Sequence, residues 1–150
     1  MHQKRYLFCY YIQFHVPQRK ALFDTKPVLG KTLSELLWAA VTDKILVIGD
    51  LGCSSGENTL IFVSEVIKAF SGRPVELQFV LNDLPHNDFN HIFRSLGQFK
   101  ESITEQYEGG ALPPFYLSGL PGSYYTRLFP CQSVHLFHSS YCLHWRSGVP

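Results

Sequence analysis

The stretch Ile45-Leu-Val-Ile-Gly-Asp-Leu-Gly-Cys-Ser-Ser-Gly-Glu-Asn-Thr59 decides the fold of this chain. Its first four residues are apolar and mostly β-branched without alternation, which is typical of a strand buried on both faces in a parallel sheet. Gly52 and Gly56 then bracket a tight loop, and the apolar spacing from Leu60 to Phe70 predicts a helix behind it. In α/β proteins, a strand, a glycine-containing turn and a helix in this order place backbone N–H groups against a ligand.

Helix and strand patterns alternate along the rest of the chain. The predicted elements are a helix over residues 18–40 that starts or kinks at Pro27, a strand from Val75 to Leu81, a helix from the N-cap pair Asn87-Asp88 through Leu96, a short strand at Tyr116-Leu117, and a firmer strand from Val134 to Phe137. This alternation predicts an α/β domain with a parallel sheet.

Composition limits the classes of function. The chain has 150 residues, with 13 Lys and Arg against 12 Asp and Glu, so it lacks the basic excess that binds nucleic acid. Aromatic residues make up 15%, which favours a large core or an aromatic-lined pocket. The four cysteines form no CxxC pair, which indicates reduced thiols and a cytoplasmic protein.

Residues 1–17 form an atypical N-terminal segment. The aromatic stretch Tyr6–Val16 follows Lys4 and Arg5 in the manner of a signal peptide, but polar residues interrupt it and no small-residue cleavage pattern follows. The stretch is too short to span a bilayer, so no membrane association is expected. Secretion is the less favoured alternative.

Two carboxylates are expected at the ends of neighbouring strands. The glycine spacing fits neither GxGxxG nor a P-loop, which argues against a bound pyrophosphate. Asp50 would repel a phosphate but suits an amine-bearing ligand, and Asp83 is placed to accept hydrogen bonds from both hydroxyls of a ribose. Together they suggest a nucleoside that carries an amino acid, as S-adenosylmethionine does. The alternative is an ordinary βαβ unit whose acids are solvated.

A serine hydrolase is the alternative enzyme class. The letters Gly52-Cys-Ser-Ser-Gly56 satisfy the G-x-S-x-G nucleophile elbow, with Ser54 as the nucleophile. Asp83 or Asp88 and then His138 or His144 would complete the triad in hydrolase order. No HGGG-type oxyanion loop accompanies the elbow, and the elbow pattern is short and degenerate.

A second cluster follows the last predicted strand. Tyr141, His144 and Trp145 would share one face of a helical turn and could bind a carboxylate or ring nitrogen, although an aromatic core patch is the commoner arrangement. A metal site is a weaker interpretation, because two of its histidines would point to opposite faces of a strand. Its residues would be Cys131, His135, His138, Cys142 and His144.

Four motifs occur in order along the chain: DLGCSSGENT at 50–59, NDLP with NDFN at 82–90, PGSYY with RLFP at 121–130, and SSYCLHW at 139–145. This series resembles the SABATH methyltransferases, plant enzymes that use S-adenosylmethionine to methylate carboxyl groups of small acids such as salicylate, benzoate, jasmonate and anthranilate, or ring nitrogens of xanthines. The resemblance implies methyl transfer to the carboxylate of a small acid, with a non-catalytic cofactor-binding fragment as the third alternative.

The resemblance also implies roles for particular residues. Those that would line the S-adenosylmethionine site are Cys53, Asn58, Asp83, Leu84, Ser123 and Tyr124, and those that would orient the methyl acceptor are Tyr141, His144 and Trp145. Tyr11 and Gln18 keep the spacing of a family segment that touches cofactor and substrate, although the residues between them differ. Tyr124 stands where Phe is usual and would still stack on adenine.

The predicted fold is a Rossmann-like, class I methyltransferase sheet, doubly wound and incomplete. Residues 18–150 would form its N-terminal part, whereas the later strands and the helical cap would lie beyond Pro150. The family's magnesium ligands belong to that later part, so no metal ligand is assigned here. A homodimer is possible in the family, and little turnover is expected from these 150 residues alone.

Overall fold

The computed structural model describes residues 6–7, 20, 23–39, 44–140 and 142. Their elements are β1 (Tyr6–Leu7), α1 (Lys26–Ala39), β2 (Ile45–Leu51), α2 (Glu57–Ala69), β3 (Glu76–Asp83), α3 (Phe89–Gln106), β4 (Phe115–Pro121) and β5 (Leu136–Ser139). In this described part of the chain, no helix is long and apolar enough to cross a membrane.

The strands form one parallel sheet in the order β1-β5-β2-β3-β4. The chain runs outward from β2 through β3 to β4 and then returns, so that β5 pairs with the other side of β2. This reversal between β2 and β5 is a topological switch point, the place where open α/β sheets bind ligands beyond the carboxyl ends of their strands. The predicted parallel α/β architecture of a Rossmann-like fold is confirmed.

One apolar cluster joins the sheet to the three helices. Its members include Leu33 of α1, Phe62 and Val66 of α2, Ile92 of α3, and Leu46, Ile48, Leu77 and Phe79 of the sheet. On the opposite face of the sheet, Val47 and Val80 are only half-buried. The prediction that β2 is buried on both faces therefore holds for one face, the one against which the described helices pack.

Several element bounds differ from the sequence prediction. Helix α1 starts beside Pro27, a residue that favours the first turn because it lacks an N–H group. Helix α3 continues to Gln106, and β4 is longer than the predicted pair of residues. Strand β1 was not predicted, because two residues show no periodicity.

Beside β5, a histidine side chain continues the pairing with β2. The backbone N–H of His135 donates to the carbonyl of Val47 at 2.8 Å, and His135 Nδ1 accepts from the Val47 N–H at 2.9 Å. The imidazole therefore takes the place of a backbone acceptor just before β5 begins at Leu136.

Helix α2 begins at a glycine that cannot be replaced without strain. Gly56 has φ 94°, and a Cβ there would lie 2.7 Å from Cγ1 of Ile92. We expect Gly56→Ala to lower the free energy of unfolding by about 2–3 kcal/mol, because left-handed backbone and overpacking add. Urea denaturation measures this loss. Gly30→Ala is the control, since nothing lies within 4 Å of its Cβ position; equal stabilities of the two variants would contradict the prediction.

Candidate functional site

A cavity of about 730 Å³ lies at the carboxyl edge of the sheet, at the switch point. The loops after β2, β3 and β4 and the end of β5 all contribute to its walls. The described members of the predicted cofactor set line this one cavity: Asp50, Cys53, Asn58, Asp83, Leu84, Ser123 and Tyr124. Tyr11, the remaining member, lies outside the described residues.

The end of β3 holds the loops on either side of it. The backbone N–H groups of Gly52 and Cys53 donate to the Asn82 carbonyl at 2.8 and 3.0 Å. The Asn82 side-chain amide donates to the carbonyls of Leu120 and Gly122 at 2.8 and 2.9 Å. Asn82 is fully buried, so these bonds are shielded from water and fix the loops after β2 and β4 relative to each other.

Asp83 lies at the tip of β3 with its carboxylate already oriented. Oδ2 accepts from the Ser54 N–H and Oδ1 from the Leu84 N–H, both at 2.7 Å. Each carboxylate oxygen has a second lone pair for a ligand hydroxyl. Asp83 can therefore accept from two adjacent hydroxyls, the chemistry needed to hold a ribose.

Asp50 and His138 form a buried pair where β2 and β5 meet. The two residues are in register, and His138 Nδ1 lies 2.6 Å from Asp50 Oδ1. The hydroxyl of Thr59 donates to Asp50 Oδ2 at 2.6 Å, and the imidazole stacks on the ring of Phe62 at 3.8 Å between centroids. Both Asp50 oxygens thus accept from protein groups, and the pair connects β2, β5 and the first turn of α2. The predicted contact of Asp50 with a ligand amine stays a prediction.

Cys53 contributes a neutral thiol to the cavity wall. Burial, and then the negative charges of Asp50 and Asp83, raise the pKa of the Cys53 thiol to about 12. The thiolate is the nucleophilic form of cysteine, and its fraction near neutral pH falls tenfold with each unit of pKa. Cys53 is therefore suited to packing and hydrogen bonding rather than to covalent chemistry.

The loop after β4 supplies the aromatic wall of the cavity. The rings of Tyr124 and Tyr125 contact each other at 4.6 Å between centroids with a tilt of 45°. The Ser123 hydroxyl accepts from the Tyr125 N–H at 3.3 Å, which helps to hold the turn. Leu84 also lines the cavity, exposes 44% of its surface and provides an apolar contact. The cavity lining therefore offers aromatic and apolar surfaces that suit a flat aromatic ligand.

The predicted acceptor residues lie outside the described part of the chain. They are Gln18, Tyr141, His144 and Trp145. Their roles stay predictions.

The hydrolase alternative is not favoured. Ser54 lies at the cavity with φ 48°, but within the described residues its hydroxyl makes no hydrogen bond to a histidine. His138 is buried and bonded to Asp50 rather than to Asp83 or Asp88. Asp88 instead caps α3 by accepting from the His91 N–H.

The metal interpretation gains no support either. Across the ranges that the structure describes, no group of three or more His, Cys, Asp or Glu side chains is arranged to hold a metal ion. His135 pairs with the backbone of β2, and His138 pairs with Asp50. His144 lies outside the described residues.

Sequence reasoning missed three residues that shape the site. Thr59 binds Asp50, Asn82 ties the loops together, and Asn87 donates to the Ser54 carbonyl at 2.9 Å. Asn87 was predicted as part of an N-cap, but Asp88 performs that role. All three residues belong to motifs quoted from the sequence, so the motifs themselves were the available signal.

A parallel sheet with a glycine loop and a paired-acceptor carboxylate at its switch point defines a Rossmann-like protein whose site is suited to a nucleoside ligand. A family model described as SAM dependent carboxyl methyltransferase matches residues 10–150. The chain belongs to this family, as the four motifs predicted.

Individual relatives agree with the family. Anthranilate O-methyltransferase 2 of Zea mays is 49% identical over 146 residues, which cover 89% of this chain and 39% of that protein. Benzoate O-methyltransferase of Zea mays is 47% identical over 151 residues, covering 89% and 38%. The benzoic acid/salicylic acid carboxyl methyltransferase 3 of Petunia hybrida is 41% identical over 140 residues, covering 89% and 39%. The chain thus spans less than two fifths of the length of the curated relatives it matches.

Proposed function

We propose that this chain forms the S-adenosylmethionine-binding part of a carboxyl methyltransferase that acts on a small aromatic acid. The observation that carries the proposal is the convergence of the predicted cofactor residues on one cavity at the switch point of the sheet. Family membership supports the same cofactor, and the anthranilate, benzoate and salicylate named for the relatives support the acceptor class.

The donors and acceptors of the cavity fit the cofactor. Asp83 would accept both ribose hydroxyls, while Leu84 and Tyr124 would cover the two faces of the adenine. The first turn of α2, with Asn58 and its backbone N–H groups, would face the amino acid end. Cys53 would add no charge to this wall, because its thiol stays protonated.

Methyl transfer to a carboxylate requires the protein to position the two reactants and requires no general base. When bound, S-adenosylmethionine supplies a methyl group activated by a sulfonium sulfur. A carboxylate acceptor is already ionised near neutral pH, so no side chain has to remove a proton. The protein would hold the acceptor oxygen in line with the methyl carbon and the sulfur, and it would exclude water. Trp145 and Gln18 would donate hydrogen bonds to that carboxylate, with Tyr141 and His144 as the aromatic walls.

Several finer points belong to the same proposal. A cytoplasmic location, a homodimer and a magnesium ion bound by a later part of the protein follow from composition or from the resemblance. We assign no magnesium ligand among the residues of this chain.

Calorimetric titration with S-adenosylhomocysteine tests the proposal directly on these 150 residues. We expect saturable one-site binding, with adenosine alone binding more weakly because it lacks the amino acid end. A serine-directed fluorophosphonate serves as the parallel probe and is expected to leave Ser54 unlabelled. Labelled Ser54 without S-adenosylhomocysteine binding would favour the hydrolase, and the absence of both would contradict any cofactor-binding role.

A further inference from the structure

A hydrogen bond joins the loop after β4 to Cys142, just after β5, across the carboxyl edge of the sheet. Tyr124 belongs to the loop after β4, and Cys142 follows β5. Strands β2 and β3 lie between β4 and β5, so the two chain segments start about 14 Å apart at the usual strand spacing. The Tyr124 hydroxyl nevertheless donates to the Cys142 carbonyl at 2.8 Å. The two segments therefore meet across the carboxyl edge of the sheet.

Cys142 is also packed against the loop after β2. It is buried, and its Sγ lies 3.2 Å from the carbonyl oxygen of Leu51 and in contact with the Ser139 hydroxyl. A side chain on Gly52 would overlap the Cβ of Cys142, so the glycine makes room for this contact. Cys142 thus joins three parts of the cavity wall: the β2 loop, the end of β5 and, through its carbonyl, Tyr124.

The Tyr124 side chain combines two properties. Tyr124 lines the cavity and its ring contacts that of Tyr125, while its hydroxyl donates to the Cys142 carbonyl at 2.8 Å and lies 3.4 Å from the Tyr125 hydroxyl. Removal from water, followed by the neighbouring Tyr125 hydroxyl and Cys142 thiol, raises the pKa of the Tyr124 phenol above its usual range. The hydroxyl therefore keeps the proton that it donates.

We propose that Tyr124 is a positioning residue: its hydroxyl holds Cys142 in place beside the end of β5, so that the placement of Cys142 is coupled to a nucleoside bound against the Tyr124 ring. Coupling of this kind is reciprocal, because a ligand that restrains the ring also restrains the hydroxyl. The ligand part of the inference rests on the proposed function. The contact between Tyr124 and Cys142 does not.

The first test measures how fast N-ethylmaleimide labels each cysteine, resolved by peptide mass spectrometry. Cys142 is buried, so its labelling requires local opening. We expect Tyr124→Phe to speed Cys142 labelling by roughly three- to tenfold, the effect of losing one hydrogen bond. Tyr125→Phe is the matched control: it removes a hydroxyl that lies 3.4 Å from the Tyr124 hydroxyl, but it leaves the hydrogen bond from Tyr124 to Cys142 in place. Exposed Cys131 should label equally in all proteins, and buried Cys53 should stay slow if the fold is intact.

The second test adds saturating S-adenosylhomocysteine. It should slow Cys142 labelling in the unaltered chain and in Tyr125→Phe, and much less in Tyr124→Phe, with each protein held at a ligand concentration that calorimetry shows to be saturating for it. A purely structural role would raise the labelling rate without changing this protection. Equal protection in all three proteins would overturn the coupling.

The remaining outcomes are separable. Equal ligand-free Cys142 labelling rates in Tyr124→Phe and the unaltered chain would overturn the role of the hydroxyl, whatever the ligand does. Failure of the unaltered chain to bind S-adenosylhomocysteine would reject the proposed function and the coupling, while the ligand-free rates still decide the role of the hydroxyl. If Tyr124→Phe also speeds the labelling of Cys53, the variant has loosened the whole fold and its labelling rates cannot test the coupling. Hydrogen exchange of the 139–142 peptide in the unaltered chain then decides it. An exchange rate that is the same with and without S-adenosylhomocysteine would overturn the coupling.

Discussion

Replacing Asp83 with asparagine is expected to weaken S-adenosylhomocysteine binding by about a hundredfold or more. The carboxylate would accept two hydrogen bonds from the ribose, and bonds to a charged group contribute about 1.5–3 kcal/mol each. It also accepts from the Ser54 and Leu84 N–H groups at 2.7 Å each. An asparagine NH₂ would face one of these donors, so the loop that carries Ser54 would lose its support as well.

Calorimetry of Asp83→Asn against the unaltered chain measures this loss. Asp88→Asn is the matched control: Asp88 caps α3 by accepting from the His91 N–H, and asparagine caps helices equally well. We expect that control to bind S-adenosylhomocysteine normally and to melt at a similar temperature. A threefold loss or less for Asp83→Asn would remove Asp83 from the ribose site.

The central strand–loop–helix unit was predictable because its signals are local. The apolar run before Asp50 and the glycines of the following loop mark the end of β2 and the start of α2 through backbone chemistry alone. A parallel arrangement brings the strand ends together, so Asp50 and Asp83 were predictable as neighbours at one edge of the sheet. Strand β4 was harder to predict, because its half-buried edge position weakens the alternation of apolar residues.

The partners of Asp50 could not be predicted in the same way. Asp50 meets His138 because of the register between β2 and β5, and those strands are far apart in the sequence. Nothing local to either strand fixes that register, which depends on how the two strands pack in the folded sheet. A carboxylate that looked like a ligand group from sequence is therefore engaged by His138 and Thr59. The sequence around a residue indicates which element it belongs to, but not which side chains from distant elements will contact it.

The same buried pair gives the largest expected effect on stability. Asp50 is 3% exposed, and its two oxygens accept from His138 Nδ1 and from the Thr59 hydroxyl. Asp50→Ala leaves His138 Nδ1 buried without an acceptor, leaves the Thr59 hydroxyl only its longer 3.3 Å contact with the Cys53 carbonyl, and opens a small void, so we expect the free energy of unfolding to fall by about 3–5 kcal/mol. Urea denaturation at neutral pH measures the loss. The exposed Asp24→Ala is the control and should change stability by less than about 0.5 kcal/mol.

A double-mutant cycle separates the contribution of the Asp50–His138 hydrogen bond from the cost of the void that Asp50→Ala leaves. His138→Phe would keep the stacking on Phe62 while removing the donor, since the imidazole lies nearly parallel to that ring. In the Asp50→Ala background, this second substitution should cost less than it does alone, because the single change leaves the buried Asp50 carboxylate without its partner and the double change leaves neither member of the pair. Strictly additive losses would assign the effect of Asp50 to packing. A loss for Asp50→Ala as small as that of Asp24→Ala would mean that water or a neighbouring group satisfies His138 and Thr59, and that the pair does not hold β2, β5 and α2 together.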